Sequence, residues 1–251
     1  AQPIRSVKKN QMDKYLEYFE KKCSKSKGMT DEAKKFIPGG VQHNLAFNYP
    51  FPLVFTKAEG AYLYDLDGNT YIDFLQAGGP TVLGSNPPEI KEKVIDLIRT
   101  CGPVTGLFHE YEMKIAEFIC KRFQGVDKFR MLGSGTEGVM AAIRVARLAT
   151  GKKKIIKLGG AYHGWSDQMV YGIRIPRTGG FEAHGIPKQC TKHTQEAFPN
   201  KIKAIEKLLK RNKLRGGTAA VIVEPVGPES GTRPIDLDYN RNIRELCDKH
   251  G

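Results

Sequence analysis

The apolar residues of this chain fall into segments with helical spacing that alternate with short runs typical of buried strands. Helices are predicted after Pro87-Pro88 and at about 109–123, 136–150, 200–212 and 238–249. Buried strands are predicted at 128–132, 154–158 and 218–223. Strands that alternate with helices in this way predict an α/β fold, in which helices cover both faces of a mainly parallel sheet.

The N-terminal part of the chain has a different pattern. An apolar stripe with helical spacing consists of Met12, Leu16, Phe19 and Cys23. This stripe predicts an amphipathic helix that ends at Gly28. Farther on, aromatic and acidic residues flank an Asp-Gly turn at Tyr62, Tyr64, Tyr71 and Asp73. That arrangement is typical of a β-hairpin.

These patterns predict two parts of the chain. Residues 1–75 are expected to form an N-terminal helix and hairpin that belong to a small domain, and residues 76–251 are expected to form a large domain. The chain stops at His250-Gly251, after a predicted helix, where a doubly wound fold would return to the sheet. We therefore expect the large domain to be incomplete.

The composition is that of a globular protein with a core. The chain has 251 residues, 40% of them hydrophobic, and it contains no apolar run near the ~18 residues of a membrane span. The N-terminus has no apolar signal core, so we expect a cytoplasmic protein with no membrane partner. The five cysteines are scattered without a Cys-x-x-Cys pair, which predicts reduced thiols and no metal.

The net charge of +13 would suit an anionic partner, and nucleic acid is the first candidate. However, Lys201, Lys203, Lys207 and Lys210 lie opposite the apolar positions of a predicted helix. This is the pattern of a solvated helix face, and neither zinc-finger spacing nor an aromatic RNA-binding signature accompanies it. We therefore expect no nucleic-acid partner.

A Gly-Ser-Gly-Thr turn connects the predicted strand 128–132 to the predicted helix 136–150. Ser134, Gly135 and Thr136 fall where a helix has unpaired N–H groups and the positive end of its dipole. This position predicts a phosphate site. Ser134 with Glu137 also fits a helix-capping box, and capping is compatible with phosphate binding.

The glycines of this turn also match a dinucleotide-binding fingerprint, Gly133-x-Gly135-x-x-Gly138. That fingerprint requires an acidic residue about 20 positions later, at the end of the next strand, to bind a ribose. The strand instead ends in Leu158-Gly159-Gly160. A nicotinamide dinucleotide is therefore disfavoured.

Two further candidate sites follow the next strands. Tyr162 and His163 come directly after strand 154–158, and Glu224 lies at the end of strand 218–223. Because the carboxyl ends of parallel strands open onto one crevice, these side chains are expected beside the phosphate site. Tyr162 or His163 could stack on a flat ligand, but both could also simply pack the loop.

Several motifs, in order, resemble the class III family of pyridoxal-phosphate-dependent aminotransferases, most closely the branch containing glutamate-1-semialdehyde 2,1-aminomutase. The resemblance runs from about Phe36 to Gly251. The motifs are Pro-Gly-Gly-Val at 38–41, the hairpin sequence at 60–73, Gly-Pro at 79–80, Gly-Ser-Gly-Thr-Glu at 133–137, Tyr-His-Gly at 162–164 and Val-Glu-Pro-Val at 223–226.

This resemblance implies a fold and a cofactor. The fold is that of the type I, aspartate-aminotransferase-like pyridoxal-phosphate enzymes, and the cofactor is pyridoxal 5'-phosphate. The resemblance implies that Ser134, Gly135 and Thr136 bind the phosphate and that Tyr162 stacks on the pyridine ring, with His163 beside it. It assigns Glu224 to tuning or positioning the cofactor. A homodimer with the active site at the subunit interface is implied as well.

The resemblance also implies a substrate pocket and a reaction. The pocket residues would be Gln42, His43, Asn44, Gly79 and Pro80. The reaction would be amino transfer between an amino acid or amine and an oxo compound, or an aminomutase reaction. The lysine that forms the Schiff base and the aspartate that pairs with the pyridine nitrogen would lie beyond the end of this chain. No catalytic residue is therefore assigned, and the chain alone is expected to be inactive.

Two departures from the aminomutase pattern point to a related aminotransferase. Relatives often have an arginine or serine after the Gly-Gly-Val loop, where this chain has Gln42-His-Asn, and the aminomutase usually has Gly-Asn where this chain has Gly227-Pro. The alternatives that remain are a racemase of the same family and a non-catalytic scaffold that binds phosphate or nucleic acid.

Overall fold

A computed structural model describes residues 9–101, 106–173, 184–228 and 232–251. The chain forms two compact units, one ending at His109 and the other beginning at Glu110. The domain boundary expected after residue 75 falls inside the first unit and stays a prediction. Among the described residues, no helix is both long enough and apolar enough to cross a membrane.

The first unit contains three helices and an antiparallel sheet within its described part. The helices are α1 (Lys9–Lys22), α2 (Ser24–Ala33) and α3 (Pro88–Thr100), and the strands are β1 (Phe55–Glu59), β2 (Tyr62–Asp65) and β3 (Thr70–Ile72). The strand order is β1-β2-β3. Short 3-10 turns span Pro38–Gly40, Asn44–Ala46 and Gln76–Gly78.

The predicted hairpin is confirmed. Strands β2 and β3 pair antiparallel, with Leu63 opposite Tyr71. Inside the turn, a carboxylate oxygen of Asp65 accepts hydrogen bonds from the backbone N–H groups of Asp67 and Asn69, at 3.0 and 2.7 Å. These bonds satisfy turn donors that the strand ladder cannot reach, as short acidic side chains commonly do.

The prediction that the N-terminal helix ends at Gly28 was wrong. The helical path breaks at Cys23 instead, and α2 runs through Gly28 to Ala33. The reason is a tertiary contact: the carboxylate of Asp67 accepts hydrogen bonds from the N–H groups of Lys25 (2.7 Å) and Ser26 (2.9 Å). These first-turn donors have no partner within the helix, so Asp67 allows a new helix to start there.

The second unit is built on a parallel sheet. Its helices are α4 (Glu110–Arg122), α5 (Gly135–Thr150), α6 (Ile202–Lys213) and α7 (Tyr239–His250), and its strands are β4 (Lys154–Leu158), β5 (Thr194–Ala197) and β6 (Thr218–Ile222). The order is β5-β4-β6, with both neighbours parallel to β4. Strand β5 was not predicted, because its sequence Thr-Gln-Glu-Ala lacks an apolar run.

The prediction of a buried strand at 128–132 was wrong. These residues form no strand; Met131 is 62% exposed and Leu132 38% exposed. A strand is stabilised by the hydrogen bonds of a neighbouring strand, and within the described residues none pairs with this segment. The apolar residues Phe129, Met131 and Leu132 alone therefore do not produce the strand.

The core lies on both faces of this sheet, as predicted. On one face Ile156 and Leu158 of β4 pack with Ile205 of α6 and Ile243 of α7. On the other, Ile155 packs with Ile143 of α5 and Met169, which follows β4. The two sets lie on different faces because successive residues of a strand point to opposite sides of the sheet. Each fully buried isoleucine or leucine stabilises the fold by about 2 kcal/mol.

Helix α6 is amphipathic, as its sequence predicts. Ile205 and Leu209 are buried, whereas the four lysines of the opposite face are exposed. The exposed residues are Lys201, Lys203, Lys207 and Lys210. This part of the positive charge is therefore a solvated helix surface.

Candidate functional site

The N-terminus of α5 is capped by Ser134. Its backbone is extended (φ −158°, ψ 164°), and its hydroxyl oxygen accepts a hydrogen bond of 3.2 Å from the N–H of Glu137. The Glu137 carboxylate folds back over Gly133, so a Cβ at that glycine would stand 2.6 Å from it. The capping interpretation of this turn is therefore confirmed for Ser134.

The same turn is accessible from solvent. Ser134 and Gly135 are exposed, and a Cβ built at Gly135 would meet no atom within 4 Å. The first N–H groups of a helix have no intrahelical acceptor, and the helix dipole places partial positive charge beside them. Within the described residues, this end of α5 is therefore open to solvent at Ser134 and Gly135.

The loop that follows β4 crosses the first turn of α5. The N–H of Trp165 donates a hydrogen bond of 3.1 Å to the hydroxyl oxygen of Thr136. Gly164 has φ +93°, and a Cβ there would stand 2.8 Å from the Thr136 Cα. Only glycine allows this approach, so Gly164 brings the Tyr-His-Gly motif directly against the Gly-Ser-Gly-Thr turn.

The third motif meets the same loop. Glu224 lies two residues after β6, and one of its carboxylate oxygens accepts a hydrogen bond of 3.3 Å from the N–H of Tyr162. Tyr162 itself is 56% exposed. The residues predicted at the carboxyl ends of neighbouring strands are thus brought together.

His163 is buried beside this exposed tyrosine. It is only 7% exposed, and its Nε2 atom has no hydrogen-bond partner among the described residues. Burial, with the positive charge of Lys157 as a smaller cause, lowers the pKa of His163 to about 4. The imidazole is therefore neutral near pH 7, with one ring nitrogen still able to bond to a ligand or a water molecule.

Lys157 is a residue of this site that our sequence prediction missed. It is fully buried on β4, and its ammonium donates hydrogen bonds to the carbonyl oxygens of Met169 (3.2 Å) and Tyr171 (2.7 Å). Burial lowers its pKa to about 8, although Glu196 and Glu224 act in the opposite direction. The available signal was a lysine between Ile156 and Leu158 in the strand Lys-Ile-Ile-Lys-Leu, because a lysine flanked by core residues is rarely found there without a partner.

The predicted substrate residues belong to the first unit. Gln42 and His43 are exposed, and the Nδ1 atom of His43 accepts a hydrogen bond of 3.1 Å from the N–H of Leu45. Asn44 opens the 3-10 turn that contains Leu45. The imidazole thus orders the loop after the Gly-Gly-Val motif.

The Gly-Pro segment lies next to this loop. The side chain of Leu45 stands 3.1 Å from the position that a Cβ of Gly78 would take. Gly79 has φ +118°, a left-handed conformation that favours glycine, and Pro80 is exposed. The two segments predicted to line a substrate pocket are therefore neighbours, and their contact with substrate stays a prediction.

Comparison with known proteins agrees with these motifs. A family profile described as Aminotransferase class-III matches residues 45–251. The chain belongs to the class III aminotransferase family. It is 40% identical over 233 residues to glutamate-1-semialdehyde 2,1-aminomutase 1 of Lachnoclostridium phytofermentans, which covers 91% of this chain and 54% of that protein. The corresponding enzyme of Chlorobaculum tepidum is 38% identical with the same coverage.

Solved structures of two transaminases and an aminomutase share the fold. An omega-transaminase from Sphaerobacter thermophilus superposes with a TM-score of 0.83 and 26% identity, covering 90% of this chain and 53% of that one. A glutamate-1-semialdehyde aminomutase from Pseudomonas aeruginosa has the same TM-score at 22% identity, covering 96% and 53%. A transaminase solved with pyridoxal phosphate bound has a TM-score of 0.82 and 28% identity, covering 91% and 54%.

The expected fold, a parallel sheet with helices on both faces as in the pyridoxal-phosphate-dependent transferases, is confirmed. Class III aminotransferases and aminomutases depend on pyridoxal phosphate. The chain spans about half the length of the curated relatives it matches.

Proposed function

We propose that this chain supplies the phosphate and ring-binding part of a pyridoxal-phosphate-dependent aminotransferase or aminomutase. The observation that carries the proposal is the convergence of three motifs within a class III chain. Thr136 contacts Trp165, and Tyr162 contacts Glu224, so a helix N-terminus, an exposed aromatic ring and a carboxylate share one edge of the sheet. A flat, phosphorylated pyridine has chemistry that matches each of these groups.

The phosphate would be held at the N-terminus of α5. The hydroxyl of Ser134 and the N–H groups of Gly135 and Thr136 supply donors there. The Thr136 oxygen accepts a bond from Trp165, which leaves its O–H free to donate to a phosphate oxygen. Each hydrogen bond to a charged group contributes about 1.5–3 kcal/mol.

The pyridine ring would lie against Tyr162. Its half-exposed ring offers a face for stacking, and its backbone is tied to Glu224. His163 stands beside it as a neutral imidazole whose Nε2 has no partner within the described part of the chain, so it can bond to the cofactor without adding charge. Glu224 would orient the loop and set the local negative charge.

The bound cofactor supplies an electron sink for the substrate carbon that loses a proton or an amino group. We place the lysine that bonds the cofactor, and the aspartate that faces its pyridine nitrogen, beyond Gly251. Lys157 is unsuitable for the first role, because its ammonium is fully buried and bonded to two backbone carbonyls. We also propose that the whole protein acts as a homodimer.

Cofactor binding is tested with the whole protein and added pyridoxal phosphate. We expect a visible absorbance band that borohydride bleaches, and Thr136→Val should weaken cofactor affinity at least about tenfold, because about 1.5 kcal/mol of phosphate bonding is lost. Thr150→Val is the matched control, since Thr150 bonds to the Ala146 carbonyl at the other end of α5. A protein that stays colourless with excess cofactor would contradict the proposal.

We propose that the substrate is an amino acid or amine, with an oxo compound as acceptor. The loop at Gln42 and His43, which lacks the arginine or serine of many relatives, supports this over the semialdehyde of the aminomutases. Incubation of the holoenzyme with single amino acids and amines should convert the cofactor to its amino form and release an oxo product. Loss of optical activity without an oxo product would instead identify a racemase.

A further inference from the structure

Three charged side chains contact the loop that follows β4, residues 159–173, which carries Tyr162 and His163. Lys157, on β4, donates hydrogen bonds to the carbonyl oxygens of Met169 and Tyr171 in the later part of this loop. The loop also closes on itself, because the N–H of Gly160 donates to the carbonyl of Gly172 at 2.8 Å. The ammonium therefore bonds to the same closed stretch of backbone, from Gly160 to Gly172, that carries Tyr162 and His163.

Two carboxylates complete this arrangement. Glu196 of β5 is the register partner of Lys157, and its carboxylate lies against Gly172, where a Cβ would stand 2.8 Å from the carboxyl carbon. Glu224, after β6, binds the N–H of Tyr162 at the near end of the loop. Both carboxylates attract the lysine. Three charged side chains, one near the end of each strand, thus contact the loop. Glu224 contacts its beginning at Tyr162, and Lys157 and Glu196 contact its later part, between Met169 and Gly172.

We propose that Lys157 is a positioning residue for the cofactor ring, acting with Glu196 and Glu224 to fix the loop that carries Tyr162 and His163. The proposal rests on the proposed function for the identity of the ligand, but the loop itself can be examined without cofactor. Burying a lysine is costly, and hydrophobic packing could fill β4 more cheaply. Its two bonds to backbone carbonyls and its two carboxylate neighbours indicate that the buried charge stabilises the loop.

Lys154 provides a matched control on the same strand. It also donates from its ammonium to a backbone carbonyl, that of Arg215, at the opposite end of β4 from Tyr162. Lys157→Met and Lys154→Met therefore each remove one ammonium and its carbonyl bonds from β4. Only the first change touches the loop.

The first measurement is amide hydrogen exchange in the cofactor-free whole protein. In Lys157→Met, the amides of Tyr162 to Gly172 should exchange at least about tenfold faster, while those of α6 and α7 keep their rates. Lys154→Met should leave the loop unchanged. Equal exchange of the loop in the two variants would overturn the proposal, whether or not the protein binds the cofactor.

The second measurement compares the affinity for pyridoxal 5'-phosphate with the affinity for inorganic phosphate, and so distinguishes binding of the ring from binding of the phosphate. Lys157→Met should weaken pyridoxal 5'-phosphate binding about tenfold and inorganic phosphate binding by a clearly smaller factor, because the loop reaches the N-terminus of α5 through the Trp165–Thr136 bond, whereas it carries the ring-stacking Tyr162 itself. If Lys157→Met does not fold, Lys157→Arg and Glu196→Gln are measured instead. Lys157→Arg keeps charge and donors and should retain most of the loop protection, whereas Glu196→Gln should lose part of it. Loss of phosphate and cofactor binding to the same extent would refute a role in ring positioning.

Discussion

The buried imidazole of His163 makes the stability of this protein depend on pH in a specific way. The ordinary pKa of histidine is 6.5, and burial together with the charge of Lys157 lowers that of His163 to about 4. The unfolded chain therefore takes up a proton between these values, while the folded protein resists it. Well above pH 6.5 the residue is neutral in both states, and its contribution to the pH dependence vanishes.

The magnitude follows from the two pKa values. One pKa unit corresponds to about 1.4 kcal/mol, so the whole difference corresponds to about 3 kcal/mol, of which about 2.5 kcal/mol is lost by about pH 4.5. Since a typical domain is stable by only about 5–15 kcal/mol, this single side chain should be visible in urea denaturation. The assay compares the free energy of unfolding at about pH 7.5 and pH 4.5.

Other groups also titrate in this range, so the informative quantity is the difference between variants. The His163→Gln substitution removes the ionisable group. On acidification over the same pH interval, the free energy of unfolding of this variant should fall by about 2.5 kcal/mol less than that of the unmodified protein. The same substitution at the exposed His184 serves as the control for removal of a histidine. If His163→Gln and the unmodified protein lose the same stability on acidification, the imidazole is not held neutral by burial and the reasoning fails.

Three further predictions concern the contacts that build the two units. Ser134→Ala removes the N-cap of α5 and should cost about 1 kcal/mol in thermal or chemical denaturation; no change would contradict the capping bond. Gly164→Ala should cost about 1–3 kcal/mol more than Gly125→Ala, because both positions have positive φ but only the first would clash with Thr136. Asp67→Ala should destabilise the first unit by about 1–2 kcal/mol, measured as faster exchange of the α2 amides; unchanged rates would show that this helix does not need the distant cap.

Much of the fold could be predicted from local pattern. Helices α3 to α7 and strands β4 and β6 follow from apolar spacing, because a helix or strand that buries one face must repeat its apolar residues with the period of that structure. The hairpin could be predicted from its Asp-Gly turn, because these two residues readily adopt the backbone conformation that a tight connection between antiparallel strands requires. Tyr162 and Glu224 could be grouped because strand ends of a parallel sheet meet at one edge, whereas the phosphate turn joins them through the bond between Trp165 and Thr136.

The errors have physical causes that lie outside local sequence. The segment 128–132 has three large apolar residues but pairs with no described strand, and β5 is polar yet paired, because a ladder of hydrogen bonds depends on the neighbouring strand. Gly28 lies within a helix because the preceding helix start is capped by Asp67, roughly forty residues farther along the chain. Neither the strand that pairs with β5 nor the capping Asp67 can be inferred from the local sequence of the segment concerned.

The sequence by itself determined the family of the chain, the order of its helices and most strands, and the residues from which a phosphate and ring site can be built. Only the tertiary structure decided how those residues act on one another. It placed Gly164 against Thr136, left Tyr162 exposed and His163 buried, and put the charge of Lys157 beneath the loop that carries both. The reason is that spacing along a chain specifies local geometry, whereas burial, charge and close approach depend on segments that meet only after folding.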